Sequence, residues 1–562
     1  MDLLQHILKS APEIALFAAL SLGHVLGRVT FRGFSLGGVA GSLLVALVIG
    51  QFGVTLPDAL KAVCFALFIY AIGFKSGPEF FGGLNRSSFK LVISSVAQCV
   101  VALLVILLTA RIGHFGKGFA AGIGAGALTQ TAMMGTAGDA LNRLGFAADQ
   151  VGQLTSQMAV GFAITYVFGT VGVIVFVRSL APRLLGVDVK KTARELESQL
   201  SEGAPVTRPG YITPFRPVVA RAFEVDAGKS GRRKIGDLIR QFDRASVERV
   251  LRGDSTIEPS PDIELQTGDV VGLSGLLKSV MAAGESIGHE VESKEALSFP
   301  VAVCNVVVTN RNVAGKSLIQ VRDRIGMQNL QGVYLVAFRR QGLPMPILAN
   351  TEVRRGDIFE LAGRPGEVDR VAAILGRAEP AGGKSDLAYH AFAIVAGTLL
   401  GLLSVNVAGI PVTLGVGGGV LVSGLCFGWL HTRFPLFGGL PQPAQWILSE
   451  FGLSGFAALI GLSAGPKAVA ALHEHGLALL LTGAIVTVVP LFFALYFGRF
   501  ALKLHPVVLL GAVCGGQTVA AALTAVCDEA DSVTPVLGFT VTYAISNVLL
   551  AVWGPVLVAL VH

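Results

Sequence analysis

The feature that most limits what this chain can become is the placement of its apolar runs. Two blocks, near 11–180 and 388–560, consist largely of apolar stretches, and the charged residues crowd into 190–390 between them. Stretches of about 20 apolar residues are what a helix needs to cross a bilayer. Only 14% of the 562 residues are charged and 52% are hydrophobic, whereas a soluble chain carries about 25% charged residues. Both blocks therefore read as membrane domains. The 70 glycines fit that reading, because small residues let membrane helices approach closely. Residues 1–9 lack the basic region, short apolar core and cleavage site of a secretory leader, so the first span is expected to be retained. The six cysteines are scattered without a CxxC pair, so neither a zinc site, a disulfide framework nor a cofactor is expected. The net charge of +7 is assigned to cytoplasmic loops rather than to nucleic-acid binding.

Spans are expected near 11–28, 35–53, 58–74, 88–111 and 153–180, and again near 388–408, 413–431, 444–463, 475–498 and 535–560. Each block also holds an apolar segment interrupted by polar residues. The first, 117–141, carries Thr129, Gln130 and Thr131 at its centre; the second, 506–527, carries Gln517 and Thr518. The blocks match in order. Leu36-Gly37 aligns with Leu414-Gly415, Ile72 to Pro78 with Ile460 to Pro466, Gln130-Thr131 with Gln517-Thr518, and Gly161 to Tyr166 with Gly538 to Tyr543. Four matches in one order indicate an internal duplication.

Basic residues mark cytoplasmic loops. Arg28, Arg32, Arg86, Lys90, Lys190, Lys191 and Arg194 place the N-terminus outside and the end of the first block inside, which requires an odd number of crossings. The segment 117–141 is then a re-entrant hairpin rather than a sixth span, and the second block, starting inside, is inverted. Arg111 and Lys117 run against this trend. The expected architecture is an all-α polytopic membrane protein with inverted repeats and re-entrant hairpins, plus a central α+β cytoplasmic module. Its domains are 1–185 and 386–562 in the membrane, each of about five spans and a hairpin, with 205–290 and 296–380 between them. That middle shows strand-like alternation at 301–308 and 332–337 and its own echo, Asp262 to Gly275 against Asn350 to Gly363, with Gly268-Asp269 matching Gly356-Asp357 at turns. Polar stretches at 194–209 and 379–384 read as linkers.

Polar residues in the interrupted segments are costly in hydrocarbon without partners, and irregular backbone at membrane depth survives only in protein or beside water. Paired broken segments in inverted halves point to a substrate site near the midplane, where half-helix N-termini suit an anion. The candidates are Thr129, Gln130, Thr131, Gln517 and Thr518; the competing reading is polar helix packing. Lys75, in Gly73-Phe74-Lys75-Ser76-Gly77-Pro78, is a further candidate, with Ser76 and the repeat counterpart Ser463. An intramembrane lysine is expensive and functional by default, against the alternative of snorkelling to the surface. The glycines and Pro78 predict a broken or terminated helix there. Glu79 reads as an interfacial charge, Asp139 and Gln153 as surface residues with a lining of the hairpin's return as the alternative, and the histidines as isolated groups near span ends. Gly-Lys-Ser at 228–230, 315–317 and 383–385 lacks the glycine five residues earlier that a phosphate loop needs. No hydrolase or metalloprotease constellation is visible, and no enzyme activity is expected.

On these residues the chain resembles the aspartate:alanine exchanger family of bacterial secondary transporters, over essentially its whole length. The resemblance rests on Gly-x-x-x-Gly-Pro at 73–78 and 461–466 and Leu-Thr-x-Thr at 128–131. The middle resembles two copies of the C-terminal domain of potassium-uptake regulators (TrkA-C or RCK-C type), clearest in Val308 to Leu318 followed by the Gly356-Asp357 turn. The resemblance implies an antiporter of the bacterial inner membrane that exchanges L-aspartate for L-alanine by alternating access, a basic residue at position 75 engaging the substrate, and a homodimer. It also leaves room for an unidentified small-molecule regulator at the central domains. Alternatives are a dicarboxylate (succinate-type) exporter and a cation channel or antiporter gated by the central module. A potassium filter needs carbonyl rings, and no TVGYG-like stretch is present.

Overall fold

Hydrocarbon offers backbone N–H and C=O groups no partner, so apolar runs must satisfy them internally as helices. The computed structural model is helical across both blocks. It describes residues 2–31, 34–35, 37–54, 56–82, 88–201, 218–229, 233–242, 245–326, 330, 332–379, 385–407, 410–434 and 437–561. Arg32, Leu36 and Arg86 lie outside the described residues, as does the second half of the expected 194–209 linker, whose first half instead continues the helix Val189–Leu200. The chain divides into two units, Met1–Arg194 with Gly383–His562, and Glu195–Gly382.

In the first unit the N-terminal half runs α1 (Pro12–Arg28), α2 (Gly38–Gly50), α3 (Asp58–Gly82), α4 (Phe89–Ile112), α5 (Lys117–Ala127), α6 (Thr131–Arg143) and α7 (Ala148–Val167). Through π-helical turns α7 continues as one apolar run, Asp149–Leu185. The C-terminal half runs α8 (Leu387–Leu402), α9 (Gly415–Arg433), α10 (Gln442–Tyr496), α11 (Pro506–Gly516), α12 (Ala520–Ala530) and α13 (Val536–Leu560). A two-stranded ribbon joins α1 to α2, and another joins α8 to α9. Among the described residues, six helices are long and apolar enough to cross a membrane: Asp58–Gly82, Phe89–Ile112, Asp149–Leu185, Gln442–Pro466, Leu472–Ala501 and Val536–Leu560. Gly38–Gly50 and Leu387–Leu402 are apolar but shorter.

One local expectation is corrected. The helix does not break at 73–78: α3 continues to Gly82 with Pro78 inside it. The expected spans 444–463 and 475–498 are both present, as the apolar helices Gln442–Pro466 and Leu472–Ala501, and helical backbone runs on between them within α10, which contains Pro466 and Pro490. The packing explains the tolerance. A proline leaves the carbonyl four residues earlier without its helical donor. The carbonyl facing Pro78 is Phe74 O, and Gly428 of α9 sits directly against it, where any Cβ would collide. The carbonyl facing Pro466 is Leu462 O, met in the same way by Gly50 of α2. The carbonyl facing Pro555 in α13, Ala551 O, accepts a hydrogen bond of 2.6 Å from the Thr136 hydroxyl.

The second unit contains two modules of one topology. The first sheet comprises β1 (Val218–Val225), β2 (Ala245–Arg252), β3 (Ser255–Ile257), β4 (Val270–Leu276) and β5 (Gly288–Val291), in the order β3-β2-β4-β1-β5. The second comprises β6 (Ala302–Val308), β7 (Val333–Arg340), β8 (Leu343–Pro344), β9 (Ile358–Gly363) and β10 (Gly376–Ala378), in the matching order β8-β7-β9-β6-β10. The expected Gly-Asp turns are where the modules match most closely. Gly268 and Gly356 have φ of 84° and 89°, a region open to glycine. The following aspartates grip an arginine on the neighbouring strand. Arg252 donates two bonds of 2.8 Å to Asp269 and one of 2.9 Å to Glu264 O. Arg340 donates bonds of 2.7 and 2.8 Å to Asp357 and one of 2.8 Å to Glu352 O.

Candidate functional site

The interrupted segments each form two short helices joined by a three-residue turn. α5 and α11 are both 11 residues long. Each turn contains one threonine in the left-handed region, Thr129 at φ 52° and Thr518 at φ 57°. The closing bonds are the same: Thr129 N to Gly126 O and Gln130 N to Ala125 O in one, Thr518 N to Gly515 O and Val519 N to Cys514 O in the other. Thr129 is therefore the counterpart of Thr518, and the sequence alignment of Gln130-Thr131 with Gln517-Thr518 is two residues out of register. A non-glycine residue in this region costs energy and is an uncommon choice. Two of them at matching positions mark the turns as specified conformations.

The turns meet each other. The Thr129 hydroxyl donates to Gln517 O at 3.1 Å and the Thr518 hydroxyl donates to Leu128 O at 3.1 Å, with the two oxygens 3.4 Å apart. Around them lie partners that the sequence did not single out. Gln130 Nε2 donates to Asn547 Oδ1 at 3.1 Å, Gln517 Nε2 donates to Thr487 O at 3.1 Å, and the Thr487 hydroxyl donates to Ala127 O at 3.1 Å. Gln98 reaches Val513 O at 3.4 Å. Gln517 is fully buried, and among the described residues its Oε1 has no partner. Thr131 is buried as the first residue of α6. The assembly is polar and uncharged, at the N-termini of two half-helices whose first amides point toward the turns.

α13 serves as a ruler for depth. α11 packs along its first half, with Gly511 against Pro535 and Gly515 against Phe539. Gln130 meets Asn547 near its middle, and α6 runs on beside Ala551 and Gly554. Lys117, at the start of α5, donates to Val558 O at 2.8 Å. One helix pair thus lies along the first half of α13, the other along the second half, and their turns touch midway.

Lys75, Ser76 and Ser463 lie elsewhere. Lys75 is half-buried and Ser76 buried; among the described residues Lys75 has no hydrogen-bond or ion-pair partner. Its neighbour Phe74 packs on His390 (ring centroids 5.0 Å) and on His431 near the end of α9 (5.7 Å). Ser463 is exposed and donates to Leu459 O within its own helix. No contact joins these three residues to the turns among the described residues. His390 is also no isolated group. It is buried, accepts from or donates to the Tyr70 hydroxyl at 2.7 Å through Nδ1, and meets Gly439 O at 3.3 Å through Nε2. Asp139, expected at the surface, instead accepts a 2.9 Å bond from Gly417 N in the first turn of α9.

A family model, Asp-Al_Ex, described as "Predicted Permease Membrane Region", matches the chain twice, over 15–182 and 389–559. The chain belongs to that permease family. The two matches fall on the two halves of the first unit. Three relatives span essentially the whole permease, and each carries the name uncharacterized transporter. One from Bradyrhizobium diazoefficiens is 40% identical over 100% of this chain and 99% of its own. One from Zymomonas mobilis is 36% identical over 100% and 99%, and one from Shewanella oneidensis is 35% identical over 99% of each. No solved structure matches.

Proposed function

We propose that this permease is a secondary-active antiporter of small carboxylates, exchanging L-aspartate for L-alanine across the bacterial inner membrane. The observation that carries the reading is the meeting of two uncharged polar turns midway along α13. Each helix pair is read as a re-entrant hairpin. The support is geometric: α5 and α7 run parallel, with Gly118, Gly122 and Gly126 against Leu154, Met158 and Phe162. At 1.5 Å of rise per residue, an α6 that continued straight on would end roughly 40 Å from the start of α7. The residues between Arg143 and Ala148 cannot bridge that, since an extended chain spans at most about 3.6 Å per residue. That the hairpins enter along opposite halves of α13 supports inverted repeats with about ten crossings in all, and the basic residues Lys190, Lys191 and Arg194 support a cytoplasmic side for the central modules, read as TrkA-C type from their resemblance.

The chemistry of the turns favours an anion or zwitterion over a metal cation. Half-helix N-termini present N–H groups and the positive ends of helix dipoles. Hydroxyls and amides from Thr129, Gln130, Gln517 and Thr518 complete the hydrogen bonding, and Gln517 Oε1 is placed to accept from an ammonium group. Lys75 supplies the cation that attracts a carboxylate, supported by its half-buried position and, among the described residues, the lack of a carboxylate partner. The test is counterflow in proteoliposomes loaded with L-alanine, L-aspartate, succinate or nothing, following labelled L-aspartate. Uptake that depends on an internal substrate and falls in Lys75→Ala supports the exchanger. Uptake indifferent to internal load overturns it, and exchange restricted to succinate transfers the assignment to a dicarboxylate exporter.

A further inference from the structure

The two return arms, α6 and α12, are repeat counterparts in different surroundings. With Thr129 matched to Thr518, Thr131, Ala132, Gly135 and Asp139 correspond to Ala520, Ala521, Thr524 and Asp528. These positions lie on one helix face. In α6 the face is covered: Thr131 and Ala132 are 4% and 1% exposed, Gly135 is buried against Phe65 of α3, and Asp139 caps α9. In α12 all four residues are exposed. α6 packs on α9 and touches α3, whereas α12 has no matching packing on α2 or α10. A carboxylate on a face toward lipid would be costly, so this face is read as wet.

The capping contact has a counterpart position too. Gly37 and Gly415, with φ of 85° and 75°, stand at the starts of α2 and α9, which matches the Gly417 amide to that of Val39. Asp139 reaches Gly417; the carboxylate of Asp528, the same residue type at the matching position, has no hydrogen-bond or ion-pair partner among the described residues.

We propose that Asp139 and Asp528 are paired latches that hold alternate states of the bundle. In the state seen here the Asp139 carboxylate closes α6 onto the first turn of α9, and the α12 side is open at the end of the bundle marked by the Lys190–Asp531 ion pair. In the opposite state α12 closes onto the first turn of α2, with Asp528 accepting from Val39 N–H, and the α6 face opens. Both residues are positioning residues, since neither touches the turns. The inference rests on the antiporter reading for its purpose, but its test reads conformation rather than transport.

The experiment uses the full chain in proteoliposomes, with the six cysteines replaced by alanine and one reporter introduced, Ala132→Cys or Ala521→Cys. The readout is the rate of labelling by a membrane-impermeant maleimide. Asp139→Ala is expected to raise labelling at the Ala132 reporter and lower it at the Ala521 reporter, each about fivefold, the size of one capping bond. Asp528→Ala is expected to move both rates the opposite way. Asp139→Asn keeps a capping oxygen and is expected to behave as the parent. Variants that shift both reporters together, or neither, overturn the proposal. A second measurement needs neither alanine variant: Val39→Cys paired with Asp528→Cys is expected to form an oxidant-induced cross-link, and its absence overturns the proposal. Opposite labelling shifts without counterflow would keep the latches and sink the substrate assignment. Intact counterflow with unchanged labelling would do the reverse.

Discussion

Thr129 and Thr518 concentrate what a single residue contributes here. Each accepts a left-handed backbone and recovers the cost by donating to the other turn. Thr129→Val keeps the shape of the side chain but leaves Gln517 O without its donor. An unmet buried acceptor costs about 1–3 kcal/mol, so we expect at least about tenfold slower counterflow, about 1.4 kcal/mol, with Thr129→Ser close to the parent. The arginines of the central modules offer a contrast in burial. The side chains of Arg340 and Asp357 are 4% and 1% exposed, whereas that of Arg252 is 33% exposed. Breaking a buried pair leaves an uncompensated charge and costs about 3–5 kcal/mol, while solvent weakens an exposed one. Each arginine-to-alanine change strands a carboxylate that is 1% exposed, so both Arg340→Ala and Arg252→Ala should lower the midpoint of module unfolding, followed by limited proteolysis of the whole chain on heating, with the larger loss for Arg340→Ala, whose own side chain is also buried.

At the scale of helices, close approach through glycine lets α3 and α10 carry internal prolines. Gly428 and Gly50 place helix backbones against Phe74 O and Leu462 O, the carbonyls those prolines leave undonated. Gly428→Ala and Gly50→Ala must separate the helix pairs, and overpacking of this kind costs about 1–3 kcal/mol. Thermal unfolding of the purified protein should show both variants destabilised. Gly152→Ala, in α7 with nothing within 4 Å of a new Cβ, should be neutral or slightly stabilising, because alanine is the better helix former. An equal loss in all three would show that glycine acts through the helix rather than through the contact.

For the whole molecule, the duplicated plan supplies two descriptions of one bundle, and the structure realises them unequally. α6 is covered and α12 is open, although their sequences assign them the same role. Two helix pairs whose turns meet midway can exchange those roles without breaking the turn-to-turn bonds, provided the arms and not the turns change partners. Saturating L-aspartate and saturating L-alanine should then each alter the labelling ratio of the Ala132 and Ala521 reporters in a chain with both latches intact. A ratio unchanged by any exchanged substrate would show that these arms do not follow the transport cycle.

The membrane blocks, the duplication and the polar turns were legible in the sequence, because apolar length and repeated glycine spacing are local properties that survive without coordinates. Lys75 also stood out, as a charge at the end of an apolar run. Which residues would share a site was not legible. Gln98, Thr487 and Asn547 are single polar residues in apolar helices, a signal that was available but gave no partner. Their neighbours are fixed by how glycine-lined helices from distant parts of the chain come into register. Asp139 looked like a surface residue because the amide it caps lies 278 positions away, and His390 looked isolated because Tyr70 is 320 positions away. Local sequence determined that one broken helical segment would exist in each half. Only the tertiary packing decided that their turns touch, that the register is set by Thr129 and Thr518, and that one return arm is buried while its counterpart is not.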